Sequence, residues 1–573
     1  MPITRYDTLT QPVIERASSD PERLSIVFVH DDGREERLNA AQFHNEASHF
    51  ASALQSIGVG PEDLVILVLQ HSQTLLFAFW GALYLGAIAS IFPFLTEKLD
   101  PQIYLERVKE LVTQSNARAV ITFPEFKGEL KALLAEAGCA VLSTEDVPQS
   151  PAENGPGSAY AHNMSWPTYS ADKIAFLQHS SGTTGLQKGV ALSHRSVLNQ
   201  IAAYSQSIDL QDDDVVVSWL PLYHDMGLIA GFIMPLVAGT PLVLMSPFKW
   251  VRDPKTLLQA IHRHRGTLCW LPNFAYNHSA RAIRATDLAG LDLSSMRAFI
   301  NCSEPVYDES QRIFLKKFAA YGVREEALSA CYAMAENTFA VTQHPTGRPA
   351  RLDWVKTRLL QEERRALPAA SGDPGSTAMV SCGAPIPGTE ISIRDERDKC
   401  LPDRRVGEIA LRSDCMLSDY YRRPDLTAQS VRAGWYYTGD MGYVAEGELY
   451  VTGRKKDLII VGGKNIYPQD LEAIANTTPG IAPGRSVAFG LFDKNLGSEN
   501  IIMVCELEGK GNSETKKKSV EIELRSRVVQ RSEIALADVR LVEGRWLIKT
   551  SSGKIARSAN RDKYLKDFLE NEA

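Results

Sequence analysis

Paired cysteines, excess positive charge and an apolar leader are all missing from this sequence of 573 residues. The 8 cysteines are scattered, and no two of them have the Cys-x-x-Cys spacing used by zinc sites and redox motifs. The 62 Lys and Arg residues are outnumbered by 69 Asp and Glu, and the net charge of −7 argues against general nucleic-acid binding. Residues 1–10 are polar and lack an apolar signal region, so we expect a cytoplasmic protein with reduced thiols.

One uncharged run is long enough to suggest a membrane span. Residues 74–95 carry no charge and could cross a bilayer. However, the run follows the strand-like segment 64–69, and Pro93 lies near its end. We therefore interpret it as a buried helix followed by a buried strand, and expect no membrane span.

Short apolar runs alternate with helical patterns along most of the chain. Strands are predicted at residues 64–69, 119–122, 215–219, 241–245 and 296–301. Helices are predicted at residues 40–57, 105–114, 195–207, 254–265 and 309–321. Such alternation is typical of an α/β fold with layered subdomains and buried, largely parallel strands.

A change of character near Gly453 predicts a domain boundary. We expect a large N-terminal domain over residues 1–453 and a small α+β C-terminal domain over residues 454–573. Two further segments are predicted to be irregular: a surface loop over 148–167, rich in Pro, Ser, Gly and Asn, and an exposed turn over 509–519.

The strongest local signal is the segment 180–189 (SSGTTGLQKG), which follows the apolar run 174–177 and precedes a second run at 190–192. Glycines allow a tight turn that brings backbone N–H groups close to an anion, and hydroxyl groups and a lysine add donors for phosphate oxygens. The spacing differs from that of the Walker loop, which disfavours a simple phosphate-binding kinase. The segment predicts a phosphate-binding loop.

This loop resembles the phosphate-binding signature of the adenylate-forming superfamily, which includes acyl-CoA synthetases, peptide-synthetase adenylation domains and luciferases. Four further segments resemble signatures of that superfamily in the expected order: 332–338 (YAMAENT), 437–440 (YTGD), 453–457 (GRKKD) and 550–555 (TSSGKI). The resemblance extends from about residue 25 to residue 565.

A narrower resemblance is to the fatty acyl-AMP ligases. It is carried by residues 219–228 (WLPLYHDMGL), 272–276 (PNFAY) and 301–306 (NCSEPV). Residues 351–380 resemble the insertion that marks those ligases; in that family the insertion packs against the C-terminal domain and accompanies transfer to carrier proteins.

The resemblance implies roles for individual residues. Lys554 would be the catalytic lysine, His224 a gate between acyl and thiol sites, Lys456 the hinge of a mobile C-terminal domain, and Thr184 and Glu336 the ligands of Mg²⁺. The residues implied in nucleotide binding are Ser180, Ser181, Gly182, Thr183, Thr184, Gly185, Lys188, Ser303, Glu304, Pro305, Tyr332, Ala333, Met334, Asp440, Arg454 and Lys554.

These residue types suit the chemistry. Attack of a carboxylate on the α-phosphate of ATP brings two anions together, so catalysis depends on charge neutralisation and positioning. Lys554 can neutralise both anions, and Asp440 can accept hydrogen bonds from both ribose hydroxyls. Tyr332 offers a ring face for adenine, and Arg454 can reach the ribose or a phosphate.

The residues expected to contact the acid are Trp270, Phe274, Ile233, Met234 and Cys302, although an apolar pocket and an apolar core look alike in a sequence. Trp270, Cys302 and Ala333 stand where related ligases carry glycine or small residues. Their added volume would narrow an acyl tunnel, which puts long-chain acids in doubt.

The leading functional prediction is an ATP- and Mg²⁺-dependent ligase that activates a fatty or other hydrophobic carboxylic acid as acyl-AMP. The acyl group would pass to the phosphopantetheine thiol of an acyl carrier protein. One alternative is an acyl-CoA synthetase that uses free coenzyme A. Another is an inactive scaffold that only binds acyl ligands or a partner, against which intact Lys554, Asp440, Glu336 and Thr184 argue.

Overall fold

The computed structural model describes residues 3–94, 101–148, 169–179, 188–461, 464–493, 498–509, 513–532, 534–550 and 553–569. It is a mixed α/β protein with a large N-terminal domain and a smaller C-terminal domain. None of the helices in these ranges is both long and apolar enough to cross a bilayer.

Two large sheets form the body of the N-terminal domain. From edge to edge, the nine-stranded sheet consists of Ala384–Pro385, Ala340–Gln343, Leu328–Ala333, Ala298–Asn301, Leu268–Leu271, Val216–Ser218, Leu242–Met245, Leu24–Val29 and Glu35–Asn39. The seven-stranded sheet consists of Asp419–Tyr420, Gly189–Ser193, Ile174–His179, Ile88–Ile91, Leu64–Leu67, Ala119–Thr122 and Ala140–Ser143. In both sheets the central strands pair in parallel and antiparallel strands lie towards the edges. The carboxyl ends of the parallel strands therefore lie on the same side of each sheet. Ligands commonly bind at such strand ends in α/β proteins.

Most of the helices bury apolar side chains, and Gln73–Tyr84 is buried over nearly its whole length. They are Gln11–Ser19, Ala40–Ser56, Gln73–Tyr84, Pro101–Ser115, Pro124–Leu133, His194–Ser207, Met234–Ala238, Pro247–Arg252, Lys255–His264, Asn273–Ala282, Asp308–Phe318, Thr357–Glu362 and Pro424–Ser430, with a π-helix over Met226–Ile233. The largest hydrophobic core contains side chains from both sheets and from the helices between them.

Smaller sheets complete the N-terminal domain. A five-stranded antiparallel sheet contains Thr389–Arg394, Gly407–Ser413, Trp435–Ala445, Val431–Arg432 and Glu448–Arg454. The hairpin of Leu352–Lys356 and Ser376–Val380 lies within the predicted insertion, with the helix Thr357–Glu362 between its strands.

The C-terminal domain has hydrophobic cores of its own, built from residues 459–568. Its strands are Ile459–Val461, Lys464–Ile466, Ile481–Asp493, Ser498–Leu507 and Asp538–Val542. Its helices are Pro468–Asn476, Glu514–Ser532 and Arg557–Tyr564, followed by the π-helical turn Leu565–Leu569.

Most predicted elements are confirmed within a few residues. The uncharged run forms the buried helix Gln73–Tyr84 and the buried strand Ile88–Ile91, as expected. The prediction of an exposed turn over 509–519 is wrong in its second half. The helix Glu514–Ser532 begins there, because the Ser513 hydroxyl accepts a hydrogen bond from the Lys516 N–H and caps the first turn. The predicted surface loop, from residue 149 onwards, lies outside the described residues.

Candidate active site

The carboxyl ends of four parallel strands carry most of the candidate site. After Val216–Ser218, Leu268–Leu271, Ala298–Asn301 and Leu328–Ala333, the chain enters the segments 219–228, 272–276, 302–306 and 334–338. The phosphate loop follows Ile174–His179. Its predicted members Ser180, Ser181, Gly182, Thr183, Thr184 and Gly185 lie outside the described residues. Lys188, at its far end, places its ammonium 5.0 Å from the ring centre of Tyr420.

Glu336 follows the strand Leu328–Ala333 and contacts the seven-stranded sheet through Tyr420. Its Oε1 accepts a hydrogen bond of 2.8 Å from the Tyr420 hydroxyl, which lies 2.9 Å from the Tyr436 hydroxyl. Tyr420 belongs to the strand that pairs with Gly189–Ser193, so this bond joins the two large sheets. Burial raises the pKa of Glu336, the Tyr420 bond opposes that shift, and the charge of Asp225 adds to it. A half-buried carboxylate in this state is suited to bind a cation.

Asp440, Tyr332 and Arg454 form the second group of candidate residues. Gly439 has φ of +72°, a conformation that favours glycine, and its turn presents Asp440 next to the end of the strand Leu328–Ala333. The Tyr332 hydroxyl donates a hydrogen bond of 2.6 Å to Asp440 Oδ2, and Arg454 Nε lies 3.3 Å from Oδ1. The charge of Asp440 raises the pKa of Arg454. The structure thus joins Tyr332 to Asp440 and Arg454, which are paired residues of one hairpin.

His224 lies at the entrance to the π-helix Met226–Ile233. Its main-chain carbonyl accepts a hydrogen bond from the Leu228 N–H, and its ring packs edge-on against Tyr223 with 4.6 Å between ring centres. Nε2 is buried without a hydrogen-bond partner among the described residues. Burial, followed by the nearby charge of Lys554, lowers the pKa of His224 to about 3, so the ring is neutral at physiological pH.

Asp225 is a candidate that the sequence did not single out. Its Oδ1 accepts a hydrogen bond of 2.9 Å from the Met226 N–H. Burial raises the pKa of Asp225, and the charge of Lys554 opposes this shift. The signal was present in the His-Asp pair of the 219–228 motif, but its proximity to Glu336 and Lys554 could not be seen without the fold.

Lys554 is brought to the N-terminal domain by a turn of the C-terminal domain. The Thr550 N–H donates to the Lys554 carbonyl at 2.8 Å, and Gly553, with φ of +81°, donates its N–H to the Thr550 carbonyl. The charge of Lys554 helps to lower the pKa of His224 and opposes the rise in the pKa of Asp225, so it acts on side chains of the N-terminal domain. The two domains together therefore assemble one cluster of charged and polar side chains.

The residues on either side of Lys456 form ion pairs with different domains. On its N-terminal side, Lys455 Nζ lies 2.8 Å from Glu408 Oε2, on a strand of the N-terminal domain. On its C-terminal side, Asp457 pairs with Arg557 of the C-terminal domain at 2.6 Å. Burial and the charge of Arg454 lower the pKa of Lys456. The chain therefore changes its attachment from one domain to the other at this residue.

Several candidate residues for acid binding share one face of the nine-stranded sheet. Trp270 is opposite Ile300 in the parallel ladder, and Cys302 follows two residues later on the same face. The Trp270 indole N–H donates a hydrogen bond of 2.7 Å to the Tyr204 hydroxyl, which donates to Gln343 Oε1 at 2.8 Å. Trp270, Tyr204 and Gln343 are all buried. Ile233 and Met234 are buried at the end of the π-helix, which packs on neighbouring strands.

Phe274 has different surroundings. Its ring meets Trp219 and Trp250 edge-on, with 6.2 and 6.0 Å between ring centres, while those two indoles stack 3.7 Å apart. Its N–H donates to Glu304 Oε2 at 2.9 Å. The structure thus separates Phe274 from the Trp270 cluster.

The remaining candidates for nucleotide binding are Ser303, Pro305, Ala333 and Met334. Ser303 has φ of +67°, and its hydroxyl lies 3.8 Å from the sulfur of Met226, just after His224 and Asp225. Pro305 is exposed, and Ala333 and Met334 are half-buried beside Tyr332.

The insertion packs against the C-terminal domain, as the resemblance led us to expect. The Asn465 side chain donates to the Gln361 carbonyl at 2.8 Å, and Arg364 donates to the Asn465 side-chain oxygen at 3.2 Å. Lys464 adds an ion pair of 3.4 Å with Glu362. The helix Thr357–Glu362 thus lies directly against the strand Lys464–Ile466.

Comparison with known proteins agrees with this geometry. The family model for the AMP-binding enzyme matches residues 13–421. The medium-chain-fatty-acid–[acyl-carrier-protein] ligase JamA of Moorena producens is 30% identical, over 99% of this chain and 96% of the relative. The 4-hydroxyphenylalkanoate adenylyltransferase of Mycobacterium tuberculosis is 31% identical, over 96% and 90%.

A solved structure from a study of fatty acyl-adenylate ligases of E. coli and L. pneumophila superimposes with a TM-score of 0.88. It is 27% identical and covers 99% of both chains. Enzymes of this family use ATP with Mg²⁺, and the half-buried carboxylate of Glu336 fits a divalent cation that takes its other ligands from phosphates and water. This chain therefore belongs to the AMP-binding enzyme family and is an acid-activating, AMP-forming ligase.

Proposed function

We propose that this enzyme activates a hydrophobic carboxylic acid as acyl-AMP and transfers the acyl group to the phosphopantetheine thiol of an acyl carrier protein. The observation that carries the proposal is the contact of Tyr332 and Arg454 with Asp440, together with the effect of the Lys554 charge on His224 and Asp225 across the two domains. The printed activities of the relatives, on fatty and 4-hydroxyphenylalkanoic acids, support a hydrophobic acid.

In the first half-reaction a carboxylate oxygen attacks the α-phosphorus of ATP. The bond from that phosphorus to the bridging oxygen breaks, and pyrophosphate leaves. Lys554 supplies a positive charge where the two anions meet, which lowers the barrier to their approach. The neutral ring of His224 adds no charge there and shields the reacting atoms from water.

Asp440 and Tyr332 hold the nucleotide in this proposal. The carboxylate of Asp440 accepts hydrogen bonds from the ribose hydroxyls, and the Tyr332 hydroxyl fixes its orientation through the 2.6 Å bond. Glu336, with Thr184, would hold Mg²⁺. When bound there, Mg²⁺ would supply positive charge to the phosphate oxygens.

In the second half-reaction the thiol sulfur attacks the acyl carbonyl carbon, the carbon–oxygen bond to AMP breaks, AMP leaves with that oxygen, and the thiol proton is released to solvent. We propose a carrier protein as the thiol donor because the insertion holds the C-terminal domain through Gln361, Glu362 and Arg364. The relative JamA is named for transfer to an acyl carrier protein, which supports the same choice.

The test uses the purified enzyme with ATP, Mg²⁺ and a mixed pool of acids. Mass spectrometry should detect acyl-AMP without any thiol, and adding a phosphopantetheinylated carrier protein should convert it to acyl-carrier thioester. Free coenzyme A at the same concentration should yield little thioester. Preferential transfer to coenzyme A would overturn the carrier assignment, and absence of acyl-AMP from every acid would overturn acid activation.

A further inference from the structure

Lys554 belongs to a short hairpin of the C-terminal domain. Lys549 and Ile555 form an antiparallel bridge within it, and the Ala556 N–H donates a hydrogen bond of 3.1 Å to the Ile548 carbonyl. Ile548 and Ala556 therefore form the base of the hairpin, and Lys554 is only two residues from that base. Because two residues span at most about 7 Å, a group that fixes this base also limits where the Lys554 backbone can lie.

One side chain joins both ends of this base. Asn560 Oδ1 accepts a hydrogen bond of 2.8 Å from the Ile548 N–H. Asn560 Nδ2 donates to the Ile548 carbonyl and to the Ala556 carbonyl, each at 2.8 Å. Both donor hydrogens and the acceptor oxygen of the amide are therefore used, and Asn560 is 0% exposed. Such an amide holds the backbone that it contacts, since a displacement would leave buried polar groups without partners.

The helix that carries Asn560 is itself firmly attached to the rest of the domain. In its first turn, Arg557 donates hydrogen bonds of 2.8 and 3.0 Å to the two carboxylate oxygens of Glu472. Arg557 also donates to Asp457, next to the hinge, at 2.6 Å, and to the Ala488 carbonyl at 2.8 Å. The base of the Lys554 hairpin is therefore held in a fixed place relative to the hinge.

We propose that Asn560 is a positioning residue for adenylation, which sets the place of the Lys554 ammonium by holding Ile548 and Ala556. The inference rests on the role of Lys554 in the proposed function. Asn560 itself contacts no substrate, because its amide is used inside the domain. Displacement of a reacting group by about 1 Å can lower a rate about 10²-fold. Loss of this amide should therefore slow adenylation and spare the second half-reaction, in which Lys554 is withdrawn.

The first experiment compares the two half-reactions in Asn560→Leu and Asn560→Asp. The first variant removes all three hydrogen bonds, and the second keeps the shape of the side chain but removes the amide N–H donors. We expect kcat for pyrophosphate exchange to fall about tenfold to 10²-fold. The KM for ATP should stay unchanged, because Asp440 and Tyr332 hold the nucleotide on the other domain. Thioester formation from synthetic acyl-AMP and a phosphopantetheinylated carrier protein should keep its wild-type rate.

Two results of this experiment would overturn the inference. One is normal pyrophosphate exchange in a variant that is folded by circular dichroism. The other is an equal loss of both half-reactions, which would mean that Asn560 supports the domain as a whole. If Asn560→Leu does not fold, the isosteric Asn560→Asp decides between these outcomes.

The second experiment tests whether Asn560 acts through Lys554. Lys554→Ala should lower pyrophosphate exchange, and adding Asn560→Leu should lower it no further, because both changes remove the same positioned charge; additive losses would refute the inference. Asn476→Leu is a matched control, since the Asn476 side chain accepts a hydrogen bond of 2.8 Å from the Gly484 N–H, outside the hairpin. This control should lower the melting temperature and leave exchange normal. A loss equal to that of Asn560→Leu would assign the effect to general loosening of the domain and refute the inference. Near-normal exchange in Lys554→Ala alone would instead contradict the proposed function of Lys554.

Discussion

Replacing Trp270 with glycine should shift the preference of the enzyme towards longer acids. The indole is 1% exposed and donates a hydrogen bond to the Tyr204 hydroxyl on one face of the nine-stranded sheet. Removing it leaves a space next to Tyr204 and Cys302, into which an acyl chain can extend. Each added methylene contributes only about 1 kcal/mol to binding in an apolar pocket. The change in preference should therefore increase step by step along a series of chain lengths.

The same substitution carries a calculable cost in stability. Truncating a buried tryptophan to alanine costs about 3–5 kcal/mol, and glycine in a strand adds about 0.5–1 kcal/mol. The Tyr204 hydroxyl also loses the hydrogen bond that it accepts from the indole, worth about 1 kcal/mol. The total of about 5–7 kcal/mol is comparable to the whole stability of many domains. Trp270→Leu, which retains more of the packing, is therefore a necessary companion variant.

The assay is competitive adenylation of saturated acids of increasing length by the wild type and both variants. We expect the wild type to prefer compact acids, and both variants to accept longer ones with the KM for ATP unchanged. Trp80→Leu is a matched control, since it removes a fully buried indole that packs on Phe43 and Phe79 and not on Tyr204. A wild type that prefers the longest acids would show that Trp270 does not close the route. If the wild type prefers compact acids and the folded variants keep the same preferred chain length, residues other than Trp270 limit the length of the acid.

Four further predictions concern single residues around the reaction. Lys554→Ala should lower adenylate formation about 10²–10³-fold in a folded protein, because one positioned charge at the phosphoryl group is lost; near-normal pyrophosphate exchange would contradict the assignment. Asp440→Ala should weaken ATP binding more than acid binding, by about 1.5–3 kcal/mol per lost hydrogen bond, and unchanged ATP affinity by calorimetry would exclude the ribose role. Lys456→Pro should impair one half-reaction and spare the other, because proline fixes φ near about −65° at the residue between the ion pairs to the two domains. Equal loss of both half-reactions would indicate misfolding or a wrong hinge. His224 titrates at about 3, so the ratio of wild-type to His224→Asn adenylation rates should stay constant between about pH 5 and pH 8; a ratio that inflects near the ordinary histidine pKa would mean that the ring is not buried during the reaction.

Strands and helices could be predicted from the sequence because burial imposes a period that local patterns preserve. The run 119–122 matches its strand in full, and the run 74–95 separates into a helix and a strand as expected. The π-helix Met226–Ile233 was not predicted, since its apolar residues give no signal that distinguishes it from an α-helix. The helix at Glu514 was missed because a run of polar residues resembled a turn, although Ser513 is a good N-cap residue.

The candidate site was predictable where a short motif carries its own chemistry, as Asp440 and Lys554 do. It was not predictable where the role depends on neighbours distant in sequence. Asp225 became a candidate only when the structure showed that the charge of Lys554 acts on it, and the hydrogen bond between Trp270 and Tyr204 could not be seen in the sequence. Phe274 was grouped with Trp270 in the sequence, yet it packs with Trp219 and Trp250.

The position of Lys554 at the end of a separate domain suits a ligase that carries out two different reactions at one carbon. A lysine fixed permanently beside His224 would assist the attack on phosphorus but would occupy space that an incoming thiol needs. The ion pairs of Lys455 with Glu408 and of Asp457 with Arg557 keep the chain firmly attached to each domain and leave rotation to the bonds between them. In the proposed cycle, rotation at Lys456 withdraws Lys554 and its turn together, and the contacts of Gln361 and Glu362 with the C-terminal domain must break for this to occur. The insertion would then determine how readily the C-terminal domain rotates away from its adenylating position. The choice of thiol donor would depend on a contact whose free energy equals that of a few hydrogen bonds.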